Sequence, residues 1–283
     1  MSYGKRKLHH IVLRECIHVI VLASAAICLY PIIFMLLTSI RSEDDYNTLA
    51  AGWPRSFRLL ENYSEAWEVG NLLRLGTNTV IVTLLTIVLC IVFGSMTGFY
   101  IAKVLKGRKS KLLFNYFLIG MMVPIQVVMI PLLKLLQNLM LINTMHGILF
   151  LYFAFNISFA IFIYTGFFRM VPNELLEAAE IDGCSRLRTF WSIVFPISKT
   201  VNATIAILVG LSVWRDLLIP LIYITNPDLK TLPVGLFYFI SGYNSRVPLM
   251  AAAMALQTLP ILILFLSMQK LFIKGLTLGS VKG

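Results

Sequence analysis

The chain has 283 residues, of which 58% are hydrophobic and 13% charged, and its formal net charge is +11. A soluble domain usually carries about 25% charged residues, so this apolar excess excludes an ordinary soluble protein and predicts contact with lipid. The basic residues flank apolar runs instead of clustering on one polar domain, which argues against nucleic-acid binding and favours a membrane protein.

Apolar runs of about 20 residues are long enough to cross the hydrocarbon of a bilayer as helices. The sequence therefore predicts an all-α integral membrane protein with about six transmembrane helices. They lie at 17–40, 78–102, 112–136, 148–168, 201–223 and 249–271. The first run continues past the small residues Ala23, Ser24 and Ala25, which favours a retained helix over a cleaved signal peptide.

The basic residues also predict the orientation of these helices. With the N-terminus inside, most of the 24 Lys and Arg residues lie in inner segments, and one of these, 103–111, has no acidic residue. The positive-inside rule thus predicts that both termini are cytoplasmic. The predicted segments are a cytoplasmic N-terminus (1–16), a membrane domain (17–271) with an inner loop (169–199), and a cytoplasmic C-terminal tail (272–283).

Some positions are unusual for apolar helices. Gly94 and Gly98 form a GxxxG pair, which predicts close helix packing and carries no information about a ligand. Pro124 and Pro131 flank Gln126 and predict a kinked third helix. The carbonyls that lose their N–H partners either find new ones within the packed bundle or line a water-filled pathway. The polar side chains predicted to line such a pathway are Gln126, Asn156, Asn202 and Ser212.

The fifth run ends with Trp214, Arg215 and Asp216 before Pro220. Adjacent residues on a helix do not face each other, and a charged pair costs little free energy at a membrane boundary. We therefore expect these residues at the interface, with Trp214 as an anchor.

Motifs for catalysis, metals and nucleotides are absent from the sequence. The four cysteines and four histidines show no metal-ligand spacing, and HExxH is missing, so no metal site and no catalytic residue are predicted. The nearest approach to the phosphate-binding GxxxxGK[ST] loop is Gly107-Arg108-Lys109-Ser110, which lacks the spacing. No chain of acids and histidines is present to relay protons, which argues against a proton-driven carrier and leaves sodium coupling open.

The inner loop contains a helix–turn–helix pattern. Pro172 and Asn173 form a favourable helix start, with Glu174 in the first turn, and Gly183 stands where a C-terminal cap is expected. A second short helix is predicted over 186–194, with Pro196 as its stop.

The first of these helices has the composition of a contact surface. Ala178 and Ala179 follow Glu177, and small side chains allow close approach of another protein. A helix that merely lies on lipid would have a larger apolar face and more lysine, so the pattern favours protein docking.

This segment resembles the EAA loop of importer permeases in the ATP-binding-cassette (ABC) class, and we call residues 169–199 the EAA loop. The family pattern is E-A-A, three residues, G, nine residues and then I-x-L-P. The chain has Phe195 in place of the usual leucine. The matching residues are Glu177, Ala178, Ala179, Gly183, Ile193 and Pro196.

Other segments, from about Asn62 onward, resemble the maltose-type carbohydrate permeases. Arg215 departs from that family, in which asparagine is common at this position. The resembling segments are Pro124-Ile125-Gln126 with Pro131, Trp214-Arg215-Asp216 with Pro220-Leu221, residues 231–236, and residues 274–277 with 281–283.

The resemblance implies the type I importer permease architecture, in the second, six-helix subunit of a permease heterodimer in a bacterial cell membrane. It implies that the EAA residues dock on one of two ATPase subunits, which bind ATP and Mg²⁺, while this chain binds no cofactor. An extracytoplasmic sugar-binding protein would deliver the substrate, an oligosaccharide. The alternatives are a non-sugar solute such as glycerol phosphate, and an ion-coupled secondary carrier.

Overall fold

The computed structural model describes residues 2–50, 52–242 and 246–278. Within these ranges every regular element is helical and no strand occurs, which confirms the predicted all-α class. The chain divides into two compact units, residues 1–70 with 238–256 and residues 71–237 with 257–283.

The first unit contains a long N-terminal helix, α1 (Ser2–Ser39), followed by α2 (Glu43–Thr48) and α3 (Leu59–Val69). None of the side chains in the most apolar stretch of α1 is buried, as expected of a helix that meets lipid or another subunit. The start of α3 is tied to the end of α1, because the Asn62 amide donates to the carbonyls of Ser39 (2.9 Å) and Arg41 (2.7 Å).

A charged cluster joins distant segments within this unit. Arg246 donates through two nitrogens to Glu65, at 2.5 and 2.7 Å, and through Nε to Glu43 at 2.5 Å. The hydrogen-bonded guanidinium lowers the pKa of Glu65, and the two carboxylates raise the pKa of Arg246. The cluster holds α2 and α3 to the segment around residue 246.

The second unit begins with the long helix α4 and contains the EAA loop. Its elements are α4 (Leu72–Phe99) with a π-helical turn (Tyr100–Val104), α5 (Gly107–Met122), α6 (Ile125–Asn138), α7 (Met145–Met170), α8 (Glu174–Ile181), α9 (Arg186–Thr189) with a π-helical turn (Phe190–Val194), α10 (Phe195–Ile197), α11 (Lys199–Trp214), α12 (Leu218–Tyr223), a 3₁₀ turn (Pro227–Leu229) and α13 (Leu232–Gly242). The last helix, α14 (Val247–Leu278), belongs to the second unit from residue 257 onward.

Helices α4 and α7 form the centre of the second unit. A Cβ atom at Gly94 would stand 2.8 Å from the Cβ of Ala160, and one at Gly98 would stand 2.6 Å from the Cβ of Tyr164. Glycine removes these clashes, so the two backbones approach closely. The close packing predicted from the GxxxG pair is confirmed.

Among the described residues, four helices are long and apolar enough to cross a membrane, and six spans result if two bent helix pairs each count as one. This agrees with the predicted number. The four unbroken spans are Arg14–Ser39, Leu72–Val104, Met145–Met170 and Val247–Ser267.

The third predicted span, 112–136, is wrong as a continuous helix, because α5 and α6 meet at an angle of 96°. Val123 takes an extended conformation (φ −79°, ψ 113°), as the ring of the following Pro124 disfavours the helical region. Pro131 lies inside α6. The predicted kink is therefore made by Pro124, and it is sharp enough to divide the helix in two.

The fifth predicted span is also interrupted, since α11 ends at Trp214 and α12 begins at Leu218. The Asp216 carboxylate accepts the backbone N–H groups of Leu218 (3.4 Å) and Ile219 (3.0 Å), so it caps a new helix instead of continuing the old one. Trp214 does not reach outward as an anchor. It is buried and donates its indole N–H to the carbonyl of Gln257 at 3.2 Å.

Pro196 does not stop a helix as predicted. The second arm of the EAA loop runs from Arg186 to Ile197 and bends by 75° at Ser198 into α11. Pro196 stands in the first turn of α10, where a missing N–H is tolerated.

The predicted C-terminal tail is partly helical, because α14 continues to Leu278. The residues of the resemblance at Val281, Lys282 and Gly283 lie outside the described residues. The cytoplasmic placement of both termini stays a prediction.

Candidate functional site: the EAA loop

The first arm of the EAA loop is α8, which begins at Glu174 as predicted. Its opening turn is held by the Asn173 carbonyl, which accepts the N–H groups of Leu176 (2.9 Å) and Glu177 (3.0 Å). The Asn173 side chain makes no cap; its Oδ1 instead accepts a hydrogen bond from Lys103. The helix start is therefore confirmed, with a different role for the asparagine side chain.

The turn after α8 is a Schellman motif. The N–H of Gly183 donates to the Glu180 carbonyl at 3.1 Å, and the N–H of Cys184 donates to the Ala179 carbonyl at 2.9 Å. Gly183 has φ +74°, a left-handed conformation that glycine adopts without strain. The predicted glycine cap is confirmed.

The two adjacent alanines lie on different faces of α8. Ala178 is exposed beside the exposed Glu177, whereas Ala179 is only 3% exposed and packs into the second unit. Successive residues of a helix point about 100° apart, because a turn takes about 3.6 residues. The exposed face therefore presents Glu177 and Ala178, with Ala179 fixing the helix from behind.

Sequence reasoning missed two exposed apolar residues at the turn. Ile181 is 87% exposed at the end of α8, and Leu187 is exposed in α9. Large apolar side chains that the chain itself leaves uncovered at a turn mark a contact surface. The available signal was their position on either side of Gly183 in an otherwise polar stretch.

The second arm is anchored by its aromatic and aliphatic residues. Phe190 and Val194 are buried, Ile193 is half-buried, and Pro196 is exposed. The Phe190 ring lies 5.4 Å, between centroids, from that of Phe99 at the end of α4. Of the two pattern residues in this arm, Ile193 thus contributes to packing and Pro196 to the surface.

Lys103 clamps the first arm to the end of α4. Its Nζ donates to the carbonyl of Val171 at 2.5 Å and to Oδ1 of Asn173 at 2.8 Å. A charged donor on two acceptors is among the stronger hydrogen-bonding arrangements in proteins. This side chain therefore ties the start of the first arm to the end of α4.

A polar cavity of about 280 Å³ lies between the two arms and the end of α4. Its charged lining consists of Lys103, Lys106 and Arg186 together with Glu177 and Glu180. Within the described ranges, no group of three or more His, Cys, Asp or Glu residues has the arrangement to hold a metal ion.

The four predicted pathway residues differ in how the fold uses them. Gln126 and Ser212 are exposed, in α6 and α11. Asn156 and Asn202 are half-buried and hydrogen-bonded: the Asn156 amide donates to the Tyr152 carbonyl at 2.8 Å, and Oδ1 of Asn202 accepts the Tyr164 hydroxyl at 2.6 Å.

Arg215 and Asp216 are adjacent but serve different purposes. The Asp216 carboxylate caps α12 and accepts the Tyr152 hydroxyl at 2.9 Å. Arg215 is exposed in the break between α11 and α12. Because the acid is committed to the fold, the arginine is left as a cation on the surface of the second unit.

Comparison with known proteins shows similarity over nearly the whole chain. The chain is 32% identical to the probable starch degradation products transport system permease protein AmyC of Thermoanaerobacterium thermosulfurigenes, over 89% of this chain and 91% of that protein. It is 33% identical to the melibiose/raffinose/stachyose import permease protein MelC of Bacillus subtilis (strain 168), over 93% and 95% respectively.

The fold also matches a solved structure. A chain of a bacterial ABC transporter involved in the import of the acidic polysaccharide alginate superposes with a TM-score of 0.79 at 21% identity, covering 92% of this chain and 96% of that one. This match confirms the predicted permease architecture.

The family described as the binding-protein-dependent transport system inner membrane component matches residues 91–278. That range contains the EAA loop, its anchor at Phe99 and its clamp at Lys103. The chain therefore belongs to this family of ABC transporter permeases, multi-pass proteins of the bacterial cell membrane.

Proposed function

We propose that the chain forms half of the translocation pathway of an oligosaccharide importer and couples to a separate ATPase through the EAA loop. The substrate class is supported by two relatives, one named for the import of melibiose, raffinose and stachyose and one for the transport of starch degradation products. The sequence resemblance to maltose-type carbohydrate permeases points the same way.

The geometry of α8 is the observation that carries the coupling role. An acidic side chain and a small one, Glu177 and Ala178, stand exposed on a short helix whose C-terminal turn is fixed by a Schellman motif. The exposed Ile181 adds an apolar contact at the end of this face. A preformed helix with one charge, one close-approach position and one apolar anchor fits a groove on a partner protein at low entropic cost.

The connections of α8 supply the mechanics of the proposal. Lys103 joins the first arm to α4, and Phe190 packs the second arm against Phe99 of the same helix. A pull on the EAA loop by a closing ATPase then moves α4 as part of a rigid group. Such rigid-body rocking converts nucleotide binding elsewhere into a change of access to the pathway.

The chain needs partners for this cycle. It has no phosphate-binding loop, so ATP and Mg²⁺ would be bound by two nucleotide-binding subunits. A second permease would complete the pathway, and the exposed apolar surface of α1 is suited to such a neighbour or to lipid. An extracytoplasmic sugar-binding protein would deliver the substrate.

Within the pathway, Gln126 and Ser212 are the best candidates for sugar contacts among the four predicted residues. Both are exposed, and an amide and a hydroxyl can each donate and accept hydrogen bonds with sugar hydroxyls. Asn156 already bonds to the Tyr152 carbonyl one turn earlier in α7, and Asn202 bonds to the Tyr164 hydroxyl, so we assign Asn202 to holding α11 against α7.

Purification of the chain from membranes tests this proposal. We expect a tagged chain to bring down a second permease and an ATPase, and the substitution Ala178→Trp to abolish recovery of the ATPase while the second permease remains. Ser192→Trp, at an exposed small residue of the second arm, is the matched control and should retain the ATPase.

Two results would overturn the proposal. One is unchanged ATPase recovery with Ala178→Trp. The other is concentration of sugar by the purified chain alone, driven by an ion gradient, which would identify a secondary carrier.

A further inference from the structure

An apolar groove of about 520 Å³ runs along the side of α4 next to the EAA loop. Phe93, Met96, Tyr100 and Val104 line it from α4 and its π-helical turn, and Leu187 and Phe190 line it from the second arm. Phe93, Tyr100 and Leu187 are exposed, so the groove is open on the surface of the second unit. The coupling role proposed above uses only the packing of Phe190 against Phe99 from this lining and leaves the rest of the groove without a role.

One end of the groove carries a positive charge. Arg186 is the only charged residue in its lining, and no ion pair to Arg186 is formed within the described parts of the chain. Arg186 also lines the polar cavity, together with Lys106 and Lys103. Lys103 is committed to its two acceptors, which leaves Arg186 and Lys106 as available cations.

The groove has the length of a lipid chain in one leaflet. From Phe93 to Val104 a helix rises about 16 Å at 1.5 Å per residue, and half of the hydrocarbon core is about 15 Å thick. Phe93 and Met96 lie within the apolar span Leu72–Val104, while Arg186 follows the turn of the EAA loop beyond its end. Polarity thus changes along the groove as it does along a phospholipid.

We propose that this groove binds an anionic phospholipid, with one acyl chain along Phe93–Val104 and the phosphate on Arg186. A water-soluble anion would leave the apolar walls uncovered, and a purely apolar occupant would leave the arginine without a counter-charge. Basic pockets between membrane helices commonly bind anionic head groups. Arg186 lines both the polar cavity and the groove, whereas Glu177 and Glu180 line the polar cavity and not the groove. A phosphate at the end of the groove would therefore meet Arg186 and neither glutamate.

The position of the site gives the lipid a mechanical role. A bound acyl chain packs against both Phe190 of the second arm and Tyr100 of the π-helical turn in α4. The lipid therefore stabilises the contact between the second arm of the EAA loop and the end of α4. This site can exist whether or not the ATPase docks as proposed.

Photo-crosslinking tests the site without a transport assay. The transporter, purified through a tag on this chain, is placed in phosphatidylcholine nanodiscs with trace phosphatidylglycerol or phosphatidylcholine bearing the same photoactivatable acyl chain. We expect phosphatidylglycerol to label the peptide that contains residues 93–104 in excess over phosphatidylcholine. Arg186→Gln should lower this excess about five-fold, the factor expected for one basic residue at an anionic surface.

Arg188→Gln is the matched control, because Arg188 is exposed on the same helix α9 and lines neither cavity. It should leave the excess unchanged, and Arg186→Lys should retain most of it. If Arg186→Gln does not assemble, added salt on the unsubstituted protein should lower the excess, because salt screens the charge pair.

Three outcomes would overturn the proposal. Equal labelling by both lipids would mean that the groove binds an acyl chain without selectivity for the head group. If neither Arg186→Gln nor salt changed the excess of phosphatidylglycerol labelling, the positive charge of Arg186 would play no part in lipid binding at the groove. Absence of label in residues 93–104 would show that no acyl chain lies in the groove.

Discussion

The EAA loop and the break between α11 and α12 are both irregular parts of the second unit, but they are built from different kinds of contact. The turn of the EAA loop is made by close neighbours, such as the N–H of Cys184 on the carbonyl of Ala179. The break is held by groups far apart in sequence, since Asp216 binds Tyr152, 64 residues away, and Trp214 binds Gln257, 43 residues away.

This difference explains which region the sequence predicts well. A turn made by neighbours leaves its pattern in a short stretch, where caps, glycines and small residues have fixed spacings. A break held by distant partners leaves only a polar residue in an apolar run, without indicating what it binds.

The largest effect should come from breaking the local turn. Gly183→Val places a β-branched residue at φ +74°, which costs about 1–2 kcal/mol or more and distorts the exposed face of α8. We expect sugar uptake to fall by about ten-fold or more, with normal amounts of the chain in the membrane. Uptake of labelled sugar and membrane immunoblots measure both.

Gly183→Asn is the informative companion, because asparagine tolerates the left-handed region and should retain most of the uptake. Gly166→Ala, at a glycine with open space around it, is the control. Equal uptake by the Val and Asn variants would show that the turn geometry does not matter.

A smaller loss of uptake should follow when the clamp between the EAA loop and α4 is removed. Lys103→Met leaves the Val171 carbonyl and the Asn173 side chain without their donor, a loss of about 1.5–3 kcal/mol for a charged hydrogen bond. We expect the ATPase to remain bound while less sugar is moved per ATP hydrolysed. Uptake and phosphate release in proteoliposomes give this ratio.

Lys109→Met, at an exposed lysine of α5, should leave that ratio unchanged. If Lys103→Met instead releases the ATPase, the lysine shapes the docking face and does not transmit motion.

The distant contacts at the break should affect stability more than coupling. Asp216→Ala removes the cap of α12 and the partner of the Tyr152 hydroxyl, at a cost of about 1–2 kcal/mol. We expect a lower melting temperature of the purified transporter, with a smaller decrease for Tyr152→Phe. Arg215→Ala should not change the melting temperature, and a decrease as large as that of Asp216→Ala would show that the arginine also holds the fold.

The smallest effect concerns another distant pair, Glu65 with Arg246 in the first unit. The hydrogen-bonded guanidinium lowers the pKa of Glu65 below its ordinary 4.5. The stabilisation by the charged Glu65 is therefore complete above pH 4.5 and is lost as the pH falls through the lower folded-state pKa. Because the pair is partly exposed, we expect less than about 1 kcal/mol.

Melting temperatures on acidification measure this effect. The unsubstituted protein should lose more stability than Glu65→Gln, while Glu68→Gln, at an exposed acid of the same helix α3, should behave like the unsubstituted protein. Parallel curves for all three proteins would contradict the assignment.

Much of the fold could be predicted from the sequence, because apolar runs of helix length and a GxxxG pair depend on local composition. The start of α8 and its glycine turn were predicted for the same reason. The bend at Pro124 was placed correctly but its size was not, since the 96° angle depends on what α5 and α6 pack against. The break after Trp214 was missed because it depends on the side chain of Asp216 acting as a cap.

Within the candidate site, the missing part was the tertiary arrangement. Lys103 lies 70 residues from Asn173 in sequence, and nothing in the basic stretch after α4 distinguishes it from its neighbours. Asn156 and Asn202 stay predicted pathway residues, and the sequence showed their polarity without the groups to which their amides bond.

If Ala178 docks on the ATPase as proposed, the one-residue rotation that separates it from the buried Ala179 lets two molecules constrain two neighbouring positions. Ala179 packs in the interior of its own chain, so the residues tolerated at position 179 should be the same whichever ATPase is present. In the docking role proposed above, Ala178 meets the surface of the ATPase, so a saturation library selected with different ATPases should change its preferences at position 178 and keep them at 179.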